Sequence, residues 1–202
     1  GGGSAGGKTT GGKTTGGKTT GGKTTGGGNG GGDTQAPPAK KARKAKKTLQ
    51  VGADAEFKTI GAALAYIREH RDDYARTTRR IQVTIEVLGG QTYSESIEID
   101  NKNQQWPTGI AIISTGVEPA ILAPPGRKPG IRLDQVEYVR IEGFRIEVKG
   151  KPTGVVLAGA QDRVQLENLV IDGFTASGID AQGAAGDASQ DALRLVDLRL
   201  TA

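Results

Sequence analysis

From Ile81 the chain alternates. Ile81, Val83, Ile85 and Val87 are apolar at every second position, the period of a half-buried strand. Many short apolar stretches follow, separated by Gly, Pro, Asn and Asp, and their order repeats. Val139-Arg-Ile-Glu-Gly-Phe-Arg-Ile aligns with Val164-Gln-Leu-Glu-Asn-Leu-Val-Ile and with Leu193-Arg-Leu-Val-Asp-Leu-Arg-Leu. In each, two inward apolar residues are followed by a two-residue step and two more apolar residues. The step carries Gly143, Asn168 and Asp197, residue types that tolerate left-handed or turn backbone. A second column reads Gly109-Ile-Ala-Ile, Gly130-Ile-Arg-Leu, Gly154-Val-Val-Leu and Gly178-Ile-Asp-Ala.

A unit of two dozen residues with several short strands cannot bury its own apolar side. Stacking such units as coils solves this, because each strand pairs with its counterpart one coil away and the inward columns fuse into one core. The pattern therefore predicts an all-β right-handed parallel β-helix over residues 48–202. An antiparallel sandwich is the alternative, but it calls for two-residue hairpin signals and not for like residues at like positions. Ala202 falls just after Leu198-Arg-Leu-Thr, so the repeat reads as a solenoid truncated at its C-terminus after about four or five coils.

Before the coils the period is different. Thr48-Leu-Gln-Val reads as a short strand; Phe57, Ile60, Leu64 and Ile67 then form one helical stripe. Ala62, Ala63 and Ala65 favour the helix, and Thr59 suits its N-cap. This predicts a capping helix within about 54–76 that closes one end of the stack. His70 lies in Arg-Glu-His-Arg-Asp-Asp with no Cys or second His beside it, and reads as a solvated residue.

Two segments resemble the pectin-lyase-like right-handed β-helix superfamily, in particular the cap and first coils of pectinesterase-like proteins. They are Val51-Gly-Ala-Asp-Ala-Glu-Phe-Lys-Thr-Ile-Gly-Ala-Ala-Leu and Gly90-Gln-Thr-Tyr-Ser-Glu-Ser-Ile-Glu-Ile. The resemblance implies the β-helix fold, a carbohydrate-related role and an extracellular or cell-envelope setting in a large bacterial protein. Its motifs build the cap, not an active site.

Charge divides the 202 residues. Residues 1–47 hold nine Lys, one Arg and one Asp, a balance of +9; the remainder holds 17 basic against 21 acidic residues, a balance of −4. The basic pI belongs to the tail, and the acidic repeat region is poorly suited to nucleic acid. The tail carries Gly-Gly-Lys-Thr-Thr four times between Gly6 and Thr25. The repeat matches the phosphate-loop pattern G-x-x-x-x-G-K-[ST], as at Gly2–Thr9, but no strand precedes it and no helix follows to organise the amides. With no apolar surface to bury, 1–47 is expected to be a disordered linker to another domain of the same chain. Its basic run, Lys40 to Lys47, reads as a charged spacer.

Candidate chemistry is sparse. The chain has no Cys, which removes thiolate metal sites and Cys nucleophiles. No cofactor, metal or catalytic set is expected, and no segment is apolar enough to cross a bilayer. Esterase chemistry of the resembled family uses two Asp, an Arg and Gln donors on the outer strands; Asp172-Gly-Phe is the nearest look-alike, and its Gly-Phe reads instead as a turn with a core plug. Outward positions of the repeat form mixed columns, Arg140, Gln165, Arg194 and Glu142, Glu167, Val196. Trp106, the sole Trp, lies in a loop where it suits either a coil junction or a sugar ring. Trp106, Arg140, Gln165 and Arg194 are thus the candidate ligand contacts. The expected function is a non-catalytic binding or scaffolding module with a glycan as ligand. The alternative is part of a carbohydrate-active esterase or lyase with its catalytic coils elsewhere.

Overall fold

The computed structural model describes residues 47–74, 80–103, 105–107, 109–182 and 193–202. It is a parallel β-solenoid of about four turns with one helix. Of the linker expected over 1–47, residues 1–46 lie outside the described residues.

Strand β1 (Thr48–Val51) and helix α1 (Ile60–Glu69) precede the coils. The first coil is β2 (Val83–Leu88), β3 (Thr92–Tyr93) and β4 (Ile97–Asp100). The second is β5 (Ile110–Thr115), β6 (Ala120–Leu122) and β7 (Ile131–Asp134). In the third, β8 (Val139–Glu142) is followed by β9 (Phe144–Ala158), which runs on around a corner of the solenoid. The fourth repeats this with β10 (Val164–Glu167) and β11 (Val170–Gln182). A further rung holds β12 (Leu193–Val196) and β13 (Arg199–Thr201).

Every pairing between these strands is parallel, which excludes the sandwich. Face A stacks β1, β2, β5, β8, β10 and β12. Face B stacks β3, β6, the start of β9, the start of β11, and β13; face C stacks β4, β7, the end of β9 and the end of β11. The aligned octapeptides meet in register, with Arg140 beside Gln165 and Gln165 beside Arg194. Val83, Ile110, Val139 and Val164 form one buried column, and Leu49, Ile85, Ile112, Ile141 and Leu166 another. Each fully buried aliphatic side chain contributes about 1.5–3 kcal/mol relative to exposure, so these columns hold the coils together.

Gly143, Asn168 and Asp197 all adopt left-handed backbone, with φ of 78°, 52° and 51°, as the turn column requires. The glycine column needs one correction. Gly130, Gly154 and Gly178 precede face C, whereas Gly109 precedes β5 on face A. Its counterparts are Tyr138 and Arg163, which share its positive φ; at coil one the face C position is Ser96. The two kinds of glycine serve different ends. Gly109 adopts φ +83, whereas a Cβ at Gly130 or Gly154 would come within 2.2 or 2.3 Å of Ile146 or Ile171 Cγ2. The first allows a turn and the others allow a close approach.

Helix α1 is shorter than the 54–76 expected: Phe57 forms a bridge with Val51, and Thr59 caps the helix by accepting from the Ala62 N–H. A 3₁₀ turn, Arg71–Asp73, follows. Ile60, Ala63, Leu64 and Ile67 are the buried residues of α1. Glu95 ties the helix to the first coil: its carboxylate accepts from the Ile60 and Gly61 amides at 2.7 and 2.8 Å. A carboxylate at a helix N-terminus satisfies orphan donors and favours the dipole. His70 is half-buried, not fully solvated. Its ring stacks on Tyr66 at 4.0 Å and its Nδ1 lies 2.9 Å from the Tyr66 carbonyl, because i and i+4 share a helix face.

Candidate functional site

The loop after β4 is built around Asp100. Its carboxylate accepts from the Lys102 amide at 3.0 Å and its carbonyl accepts from the Trp106 indole Nε1–H at 2.9 Å. Asn101 Oδ1 accepts from the Trp106 amide at 3.1 Å. The loop is then fastened to the next coil. Lys102 Nζ lies 2.7 Å from Asp134 Oδ2, and that carboxylate is 2% exposed. Arg132 reaches the same oxygen at 3.5 Å. The hydrogen bond to Asp134 and that residue's charge hold the Lys102 ammonium above its ordinary pKa of 10.5.

The loop, helix α1 and the first two coils enclose a cleft of about 330 Å³, lined by Leu64, Arg68, Ser94, Glu95, Glu98, Trp106, Pro125 and Lys128. A second hollow of about 210 Å³ shares Arg68, Glu98 and Trp106 with it and adds Asp100, Asn103 and Gln105. The two hollows adjoin at these shared residues as one open groove wall, and the larger falls at the low end of the size range of small-ligand sites. Trp106 is half-buried and packs against the core while lining both parts. It therefore plugs a coil junction and also faces the groove. Its one donor is engaged, leaving the ring as its contribution to a ligand. Lys128 pairs with Glu98 at 2.9 Å, and Arg68 makes no ion pair among the described residues.

The other three candidates stand elsewhere, adjacent on the outer surface of face A. Arg140 is already engaged, with Glu142 and Glu167 each at 2.8 Å. Gln165 and Arg194 line neither hollow. Asp172 is held by Arg145 at 2.9 Å, while Gly173 turns at φ +80 and Phe174 packs against the core, as the turn-and-plug reading expects. Arg140 and Asp172 thus each link neighbouring coils through paired charges.

Sequence reasoning missed Arg68, Glu98, Asn103 and Gln105. Only Trp106 marked the groove, since the others are ordinary surface residues until α1 and the loop bring them together. Among the described residues no cluster of three His, Asp or Glu is disposed to hold a metal, and no helix is long and apolar enough to cross a membrane. No family model, curated protein or solved structure matches the chain. The fold by itself places it among parallel β-solenoids with one helix.

Proposed function

We propose that this chain is a non-catalytic glycan-binding module, a β-helix domain tethered by its Gly/Lys/Thr-rich segment to other domains of a larger bacterial protein. The observation that carries this is the Trp106 groove. An indole with its N–H already bonded offers an apolar ring face, and Arg68, Asn103, Gln105 and Ser94 around it supply donors and acceptors for hydroxyl groups. The resemblance of the cap and first coil to pectin-lyase-like proteins agrees with a carbohydrate ligand. Asp172, the nearest look-alike of an esterase residue, is engaged in an inter-coil ion pair with Arg145.

A glycan array probed with the intact chain tests the proposal. Retention of one or a few related glycans, abolished by Trp106→Ala with the fold preserved by circular dichroism, supports it. No retention, or retention indifferent to Trp106, overturns it.

A further inference from the structure

We propose that the rung of β12 and β13 binds an extended segment of a partner protein by strand addition, the segment carrying acids that meet Arg194 and Arg199. This site is independent of the groove. Among the described residues β12 pairs with β10 alone and β13 with β11 alone, so the far edge of each is unpaired. Such an edge presents a row of backbone donors and acceptors that another strand satisfies. The inward side chains are uncovered too. Leu195 and Leu200 are 44% and 49% exposed, whereas their register partners Leu166 and Ile171 are 0% exposed.

Charge defines the kind of strand. In the third coil Arg140 lies beside Gln165 and reaches Glu167, two positions further on, at 2.8 Å. Arg145 lies beside Val170 and reaches Asp172, again two positions on, at 2.9 Å. Each Arg also has an acid two positions along its own strand, Glu142 and Glu147. The rung of β12 and β13 keeps the arginines and drops the acids, since Val196 and Thr201 stand at that spacing from Arg194 and Arg199. Both arginines are exposed and make no ion pair among the described residues, and Glu167 and Asp172 behind them are already engaged.

A strand laid on this rung in register therefore needs aliphatic residues over Leu195 and Leu200. It also needs acids two positions beyond the residues that face Arg194 and Arg199. Val164–Asp172 has this pattern, with Leu166 and Ile171 inward and Glu167 and Asp172 outward. That segment is built into the stack between its neighbours, so a second copy does not lend it. The β1 strand of a second copy exposes the uncharged Thr48 and Gln50. Two copies joined by this same rung would set arginine against arginine. The occupant is thus a different protein.

The probe is a capped, fluorescently labelled peptide of sequence Val164–Asp172, titrated with the intact chain and followed by polarisation. Saturable binding is expected. Glu167→Gln with Asp172→Asn in the peptide should weaken it about fivefold, and Arg194→Gln with Arg199→Gln in the protein about equally, the effect of two exposed ion pairs. Salt at about 1 M should erase that difference. Leu195→Ser with Leu200→Ser, the fold checked by circular dichroism, should weaken binding about tenfold or more. Val117→Ser, at a fully exposed position before β6, should leave it unchanged. No binding at about 1 mM protein, or binding indifferent to the acids and the arginines, overturns the proposal. Self-association of the chain alone that Leu195→Ser with Leu200→Ser abolishes also overturns it, in favour of a second copy.

Discussion

On face A two rows of side chains run side by side along the same strands, one facing in and one facing out. The inner row is Leu49, Ile85, Ile112, Ile141 and Leu166, each 0% exposed. The outer row beside it is Thr84, Arg140, Gln165 and Arg194, with Ala111 in the same register but covered, at 2% exposed. The backbone is common to both, so the difference in residue choice comes from burial alone. Inside, every coil must fill the same volume between its neighbours, and only Leu and Ile do so here. Outside, water accepts any polar or small residue, and charges pair where they happen to be adjacent. Regularity therefore reports the fold, while function sits where regularity is broken.

Substitution should expose this contrast most sharply at neighbouring positions. Ile141→Ala removes a core side chain at the centre of the stack and should cost about 2–5 kcal/mol. Arg140→Ala, one residue away, should cost about 1 kcal/mol or less, since Arg140 is more than a third exposed and its ion pairs are screened. Urea denaturation of the two variants measures the difference. Equal losses would mean that the ladders, not the core columns, hold the coils.

Glycines sharpen the same contrast at smaller scale. Gly154→Ala places a Cβ 2.3 Å from Ile171 Cγ2 and 2.8 Å from the Gly178 carbonyl oxygen, and overpacking of this kind should cost about 1–3 kcal/mol. Gly126→Ala meets no atom within 4 Å, so only its positive φ of 58° opposes the change, at about 1 kcal/mol. A thermal melt in which Gly126→Ala is the more damaging would show that backbone angle, not close approach, governs these positions. Next in size comes Glu95→Ala, which strips two amides at the helix N-terminus of their acceptor and should cost about 0.5–2 kcal/mol. Its signature would be earlier proteolysis within α1 than within the coils.

How much of this was readable beforehand follows from the same division. Val139, Val164 and Leu193 align in the sequence because inward columns repeat, and they stack in register. Gly143, Asn168 and Asp197 were readable as turns because few residue types tolerate their backbone angle. Gly109 was misplaced because a glycine looks the same whether it serves a positive φ or a close approach. The groove was the least legible part. Trp106 stood out as the sole Trp, but Arg68 and Glu98 become neighbours only through the docking of α1 onto the first coil, and no spacing along the chain records that. Arg140, by contrast, looked available and is not, because its partner Glu167 arrives from the next coil.

The smallest effect expected concerns the loop itself. Lys102 has a folded pKa raised above its ordinary 10.5 by Asp134, so the contact contributes fully below that value and is lost as pH rises through the raised pKa. Global stability should barely register this, since Lys102 is half-exposed. Trp106 should register it, because Lys102 ties the loop that carries the indole to the second coil, and the chain has no other Trp to mask the signal. Its emission should stay constant from neutral pH up to 10.5 and change only above that, as the ammonium is deprotonated. In Lys102→Met, iodide should quench Trp106 more strongly at neutral pH, and the alkaline step should disappear. If the step survives in that variant, a titration elsewhere governs the loop, and the Asp134 contact does not hold Trp106 in the groove.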